Sequence, residues 1–386
     1  MKNYRTIFFI WILLNIYQQT CAKNKSSELA TTNSITPLKT HTIDDSIFIN
    51  FSSSVYFTYQ STYYNNGNNY TLFYNTKDSA LYLYAIDSSF RLLQKKSIAQ
   101  LHDSTIQEID DIYFHNFDTI ALISNNTLYL FDTATHLFYK NEIKEKASAD
   151  YIYGNIYKDY PAYIYGNYFY MMQFHNDGPQ KFSYYQYPIQ GKMNMASNTT
   201  SSDSIYQSKL LQNKNKLYGL LHNCVKVSHD TVGVLSFYCD PNLYVQNYKT
   251  GKIQAFGAKS PLQNVAIPTL HKKYIDNKII QYEHFIASPF YTKIYWDPFR
   301  KVYYRFMLNG LDMQHHLPGK YPIFADKELV ISVFDTSFQL LYSNTIGTYK
   351  KYGYGNLFIT KACVYLLDNS KTTASTYLLR KLSFEK

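Results

Sequence analysis

Arginine is nearly absent from this chain: 5 Arg stand against 33 Lys in 386 residues. An Arg here marks a position where the default cation does not serve, because an ammonium cannot reproduce the planar fork of a guanidinium. Charged residues are sparse at 17% and apolar ones reach 46%, which excludes a disordered chain and provides for a large core. With only 14 Gly and 11 Pro, turns must rest on Asn, Asp and Ser. No H-E-x-x-H, G-x-S-x-G, P-loop or G-x-G-x-x-G occurs, so hydrolase and nucleotide-binding readings lack their usual marks. Beyond the N-terminus no run approaches 18 consecutive apolar residues, so nothing else predicts a spanning helix.

The N-terminus reads as an export signal. Lys2 and Arg5 precede an apolar run over 6–16 that is too short for a permanent bilayer helix. We assign 1–20 as signal peptide and 21–45 as a flexible tether rich in Ser, Thr, Asn and Lys. Cleavage before Cys21 would make it a lipidated first residue; cleavage after Ala22 would release the chain. The Leu usual three places before such a Cys is missing, yet Cys21 falls directly after the apolar run, which favours the anchor. Removing 1–20 takes the formal charge from +10 to +8. That suits lipid headgroups or acidic glycans, or simply a solvated Lys surface. No basic helix or recognition motif points to nucleic acid.

The other cysteines are Cys224, Cys239 and Cys363, an odd number that leaves at least one thiol free. Cys224 and Cys239 flank a hairpin turn at 228–231. A disulfide between them needs a longer loop or a bulge; the alternative is two buried thiols.

What the chain does have is a returning phrase: an apolar strand, an acidic or amide turn, then a second strand. It reads Leu81-Tyr-Leu-Tyr-Ala-Ile-Asp87 and returns as Leu128-Tyr-Leu-Phe-Asp132, then from Leu243 to Lys252. It returns again as Ile331-Ser-Val-Phe-Asp335 and Val364-Tyr-Leu-Leu-Asp368. Repetition of a strand–turn–strand unit predicts an all-β fold, a β-propeller over 46–386 with six or seven blades. A pair of β-sandwiches would explain the strands but not the repetition. Period-two alternation also predicts strands over 182–189, 217–227 and 278–285, and a loop over 192–203. The Asp closing each phrase (Asp87, Asp132, Asp335, Asp368), like Asp297 before Pro298, has a turn-forming role in accepting backbone N–H groups two residues on.

Among site candidates the segment 294–306 is the most distinctive. Arg300 leaves the Asp297-Pro298 turn, and Tyr303 and Arg305 share one strand face with Tyr304 on the other. Arg300, Tyr304 and Arg305 could hold a carboxylate or phosphate; the alternative for Arg305 is a clamp that fixes two blades. His315 and His316 are adjacent and lack ligand spacing, so no metal site and no cofactor is expected. His175 begins a polar turn.

The phrases 295–306, 331–338, 256–260 and 356–360 resemble a Bacteroidetes family of unknown function, made of exported, propeller-like lipoproteins. The resemblance implies a membrane-tethered extracytoplasmic propeller and supplies no activity. The resulting expectation is a lipid-anchored module at the envelope surface or in the periplasm that binds or scaffolds a glycan, a peptide or an envelope protein. The rival is a propeller lyase or hydrolase acting on such a glycan or peptide.

Overall fold

In the computed structural model, residues 46–386 are described apart from 51–56, 87–89, 102–105, 107–108, 144–150, 154–159, 176–181, 206–207, 213–216, 314–322, 374–375 and 383–386. The expectations on Cys21, Asp87 and His315–His316 lie outside them, as do the signal and the tether.

The strands form six antiparallel sheets, which fixes the blade number at six. The first strand, β1 (Ser46–Asn50), belongs to the last blade. The first blade is β2 (Phe57–Asn65), β3 (Asn68–Asn75), β4 (Ala80–Ile86) and β5 (Phe90–Ser97). The second is β6 (Asp111–Asn116), β7 (Thr119–Ser124), β8 (Thr127–Phe131) and β9 (Leu137–Glu142). The third has β10 (Tyr151–Tyr153) and β11 (Tyr163–Tyr165) both paired to β12 (Tyr168–His175), followed by β13 (Gln190–Asn194) and β14 (Thr199–Ser202). The fourth is β15 (Cys224–His229), β16 (Val232–Phe237), β17 (Asn242–Asn247) and β18 (Ile253–Gly257). The fifth is β19 (Phe290–Asp297), β20 (Val302–Leu308), β21 (Glu328–Phe334) and β22 (Leu340–Thr348). The sixth is β23 (Leu357–Ile359), β24 (Val364–Leu367) and β25 (Thr376–Leu382), completed by β1. That antiparallel pairing, Ser46 opposite Arg380 to Asn50 opposite Thr376, staples the start of the chain to its end and closes the ring.

Each blade packs between two others, so its middle strands are buried on both faces. β4 is buried at all seven positions, while β9, an outer strand, alternates. The returning phrase is the third strand of the first, second, fourth and fifth blades. In the sixth it is the second strand, because there the last turn is replaced by the meeting of the chain's two ends.

The turn chemistry is visible. Asp132 Oδ1 accepts the His136 N–H at 2.9 Å. Asp335 Oδ1 accepts those of Ser337 and Gln339 at 2.8 and 2.9 Å. Asp368 Oδ1 accepts that of Ser370 at 3.1 Å, and its Oδ2 takes Arg380 Nε at 2.5 Å.

Four sequence expectations are corrected. Residues 278–285 are not a strand: Lys278–Ala287 is a helix, α1, whose N-cap Asn277 accepts the N–H groups of Ile279 and Ile280 at 3.1 and 3.2 Å. Residues 182–186 form a 3-10 turn, and Gly219–His222 another ahead of β15. The stretch 192–203 is largely the β13–β14 hairpin, not a loop. Its turn is set by Asn194 Oδ1, which accepts the Ala196 and Ser197 N–H groups at 3.0 and 3.2 Å.

Candidate functional site: the central channel

The distinctive segment turns inward, away from solvent. Arg305 is 1% exposed and uses all five N–H donors. Nε donates to Ser236 Oγ at 2.9 Å, Nη1 to the carbonyls of Pro241 and Ala258 at 2.7 and 2.8 Å, and Nη2 to those of Asp240 and Asn242 at 2.8 and 3.3 Å. Its guanidinium lies 3.4 Å above the Tyr291 ring. The carbonyls of 240–242 converge because Asp240 folds the turn over itself, its Oδ1 taking the Asn242 N–H at 2.8 Å and its Oδ2 the Tyr244 hydroxyl at 2.6 Å. Arg305 therefore clamps the fourth blade to the fifth.

Arg300 clamps the fifth to the sixth. Its Nη1 donates to Asp297 Oδ2 at 2.8 Å and to the Thr360 carbonyl at 3.1 Å. Asp297 also accepts the Phe299 and Arg300 N–H groups at 2.9 and 3.0 Å and the Tyr304 hydroxyl at 2.9 Å. The three residues considered for ligand contact, Arg300, Tyr304 and Arg305, thus do not converge on a common pocket. Cys224 and Cys239 are free, buried thiols, not a disulfide. A two-residue turn at Asp230-Thr231 places Cys224 opposite Phe237, two residues short of Cys239. Burial pushes the Cys224 thiol up to about 12, so it does not ionise near neutral pH.

The cavity on the axis is another matter. It has a volume of about 690 Å³ and takes residues from the inner strand region of every blade. They include Gln60–Thr62 and Tyr64 on β2, Tyr113 on β6, Tyr163 on β11, Val225–His229 on β15, Lys293–Trp296 on β19 and Asn356–Phe358 at β23. Lys226, Lys293 and His229 are the ionisable nitrogen groups on this wall, and no Asp or Glu is among the described lining residues.

His229 and Trp296 stack face to face, centroids 4.0 Å apart and planes 9° apart. His229 Nε2 lies 2.7 Å from the Tyr303 hydroxyl and Nδ1 lies 3.2 Å from Asp230 Oδ2, a carboxylate at the exposed turn. Burial holds the His229 pKa below the ordinary value, against the pull of Asp230. The imidazole is therefore neutral at pH 7; with Nδ1–H directed at the Asp230 carboxylate, Nε2 accepts a hydrogen bond from the Tyr303 hydroxyl. Lys226, 2% exposed, lies between the Tyr160 and Tyr248 rings and donates to Gln190 Oε1. Burial draws its pKa down to about 7. Among the described residues no group of three or more His, Cys, Asp or Glu has the arrangement of a metal site, and no helix is long and apolar enough to cross a membrane.

No family profile matches the chain, and no curated protein matches it. Solved structures do. A DUF4221-family member from Bacteroides vulgatus is 15% identical and superposes with a TM-score of 0.69, over 90% of this chain and 98% of that one. A Bacteroides fragilis protein described as exported is 11% identical with a TM-score of 0.50, over 93% and 98%. The resemblance read from the sequence phrases thus extends to the fold, a six-bladed propeller shared with Bacteroides proteins of unknown function.

The sequence reading missed Lys226, His229 and Trp296 as a group. Lys226 and His229 sit 67 to 70 positions before Trp296 on another blade, and nothing local marks them as neighbours. The one available signal was that inward-facing positions of a first blade strand should be apolar or small, and Lys226 is neither.

Proposed function

We propose that this propeller is an exported binding module, held at a membrane through lipidated Cys21, whose central channel takes an anionic ligand of the cell envelope such as an acidic glycan. The carrying observation is the channel wall: the Lys293 cation, a neutral imidazole and a dense set of tyrosines around 690 Å³, with no carboxylate among the described lining residues. A low-dielectric channel lined by one sign of charge concentrates ligands of the other. Tyrosine rings offer flat apolar faces with a polar tip, which suits sugar rings. The export reading is supported by the signal-like start and by the likeness to a Bacteroides protein described as exported.

The Asp230–His229–Tyr303 chain of hydrogen bonds favours a second reading, a lyase or hydrolase. It is the weaker one, because Tyr303 is 2% exposed and its hydroxyl is turned into His229. Calorimetric titration of the exported chain with oligogalacturonate and with a neutral oligosaccharide of equal length tests the proposal. We expect binding of the acidic one alone, weakened by salt and by Lys293→Met. Equal binding of both, or of neither, refutes it; shortening of either oligosaccharide during the titration favours the enzyme.

A further inference from the structure

The innermost strand of each blade is a sheet edge, paired on one side only. Along such a strand the residues alternate: one points its N–H and C=O at the partner strand, the next points both outward. The turn fixes which is which. β2 and β3 are joined by the two-residue turn Asn66-Gly67, with positive φ at both positions. A turn of this kind is closed by a hydrogen bond between its flanking residues, here Asn65 and Asn68. Counting back from Asn65 through an unbroken register, Tyr63 and Ser61 point their main chain at β3. Tyr64, Thr62 and Gln60 point theirs outward.

The channel wall agrees with this count. Gln60, Thr62 and Tyr64 all line it, whereas Tyr63 packs on Phe114 and Phe117. Side chains of the outward row are engaged elsewhere. Thr62 Oγ1 lies 3.4 Å from Thr71 Oγ1 on β3, and the Tyr64 ring meets that of Phe299 edge-on at 5.7 Å. What these residues turn to the axis is peptide. Other inner strands have such groups closed by a neighbour. Phe114 N–H donates to Ser61 Oγ at 2.8 Å, Tyr291 N–H to the Tyr238 carbonyl at 3.0 Å, and the Ile359 carbonyl takes Asn69 Nδ2 at 2.6 Å. Among the described residues no group closes the outward main chain of Gln60, Thr62 and Tyr64.

We propose that the outward edge of β2 is the part of the channel that reads sugar hydroxyls, pairing its N–H and C=O groups with them while Lys293 meets the ligand's charge. The inference rests on the acidic-glycan reading above. A hydroxyl both donates and accepts, so one sugar ring satisfies an N–H and a C=O of the row together. Three residues make too short a row for an added peptide strand, since strands average about five or six. The tyrosine faces around the row suit a sugar ring.

Thr62→Pro tests this in the exported chain. Proline at an outward position of an edge strand removes one channel-facing N–H and spares the ladder to β3. In calorimetric titration with oligogalacturonate we expect affinity to fall about five- to tenfold, the worth of one hydrogen bond, with the far-UV circular dichroism of the wild type retained. A second measurement needs no variant. Amide hydrogen exchange at Gln60, Thr62 and Tyr64 of the wild type should be fast in the free protein and at least about tenfold slower at saturation with oligogalacturonate. No slowing at these amides, or a folded Thr62→Pro that binds like the wild type, overturns the inference and leaves the anionic reading standing. Oligoglutamate of equal length carries the charge without the hydroxyls. If it binds as tightly and protects the same amides, the edge reads peptide and the hydroxyl assignment is wrong. Failure of oligogalacturonate to bind the wild type is a separate result, which removes the anionic reading and this inference with it.

Discussion

Replacement of Arg305 gives the sharpest test of how the ring is held. Truncation to Ala removes five donors at once and strands four carbonyls and one hydroxyl in a seam that is otherwise closed. Each stranded buried group carries a penalty of about 1–3 kcal/mol, but the 240–242 turn can relax and water can enter the vacated space. The net loss is therefore about 3–5 kcal/mol, not the sum. For a chain of this size about 1 kcal/mol moves the melting temperature by about 2 °C, so Arg305→Ala should melt about 6–10 °C lower. Arg305→Lys discriminates further. It keeps the charge, but three tetrahedral donors cannot serve five acceptors spread around a plane, and the flat stack on Tyr291 is lost. Its loss should be about 2–3 kcal/mol, or about 4–6 °C. Circular dichroism melts of both variants and the wild type, each at pH 7, provide the measurement. If Arg305→Lys melts within about 1 °C of wild type, charge alone holds the seam and the argument from the five-acceptor geometry is wrong.

Other perturbations have equally definite outcomes. Cys21→Ser should move the protein from the membrane to the soluble fraction; a variant that stays membrane-bound and normally processed rules out the lipid anchor. A Cβ on Gly233 would stand 2.4 Å from the Tyr248 hydroxyl, so Gly233→Ala should push Tyr248 off Ser228 and lower stability by about 1–3 kcal/mol, read as a urea midpoint. The carboxyl of Asp368 is held below the ordinary value by the hydrogen bonds of Ser370 and Arg380, against burial, so its contribution is present above the unfolded value and lost as pH falls through the folded one. Asp368→Asn should accordingly flatten the acid limb of the stability profile below pH 4. For Lys226 the slope has the same sign, in a higher pH window. Its folded value of about 7 lies below the unfolded 10.5, so between them the unfolded chain binds the extra proton and stability rises with pH. The slope approaches about 1.4 kcal/mol per pH unit for such a group, and Lys226→Met should remove that share between pH 7 and 9, leaving the similar share of Lys327.

The ring was legible because its turns are chemical. A side chain that accepts backbone N–H groups of its own turn leaves a mark at one position, and Asp132, Asp335 and Asp368 each leave it. The third blade escaped the count because Asn194 does the same work with an amide, inside a stretch of Ser, Thr and Asn that reads as a loop. α1 was misread because Ile279 and Ile280 suit a strand by composition. What decides for helix is the Asn277 cap, and the exposure of Ile279 and Tyr282 shows that no alternating face is being buried. Arg305 could be singled out from its rarity, although its five acceptors could not. The channel was illegible for a different reason. Its residues come one or a few at a time from six inner strands, so their proximity exists only once the ring is closed.

Closure also explains where the scarce arginines stand. Of the 5 Arg, Arg305 joins the fourth blade to the fifth, Arg300 joins the fifth to the sixth, and Arg380 holds the Asp368 turn within the sixth. The last blade must also capture β1, whose pairing with β25 joins residues far apart in the chain. Bringing chain ends together carries the largest loop-closure cost of any pairing in the ring, and a bidentate fork returns more fixed geometry per side chain than a lysine does. Arg380 shows the arrangement most directly. It stands opposite Ser46 in the closing register, and its guanidinium is anchored on the buried Asp368 carboxylate, a contact that holds β25 independently of β1. The chain then joins the ring through its outermost strand, at the perimeter, while the channel is lined by the innermost ones. A load applied at Ser46 would fall on the five residue pairs of β1 and β25, on the opposite side of the blade from the strand that lines the channel.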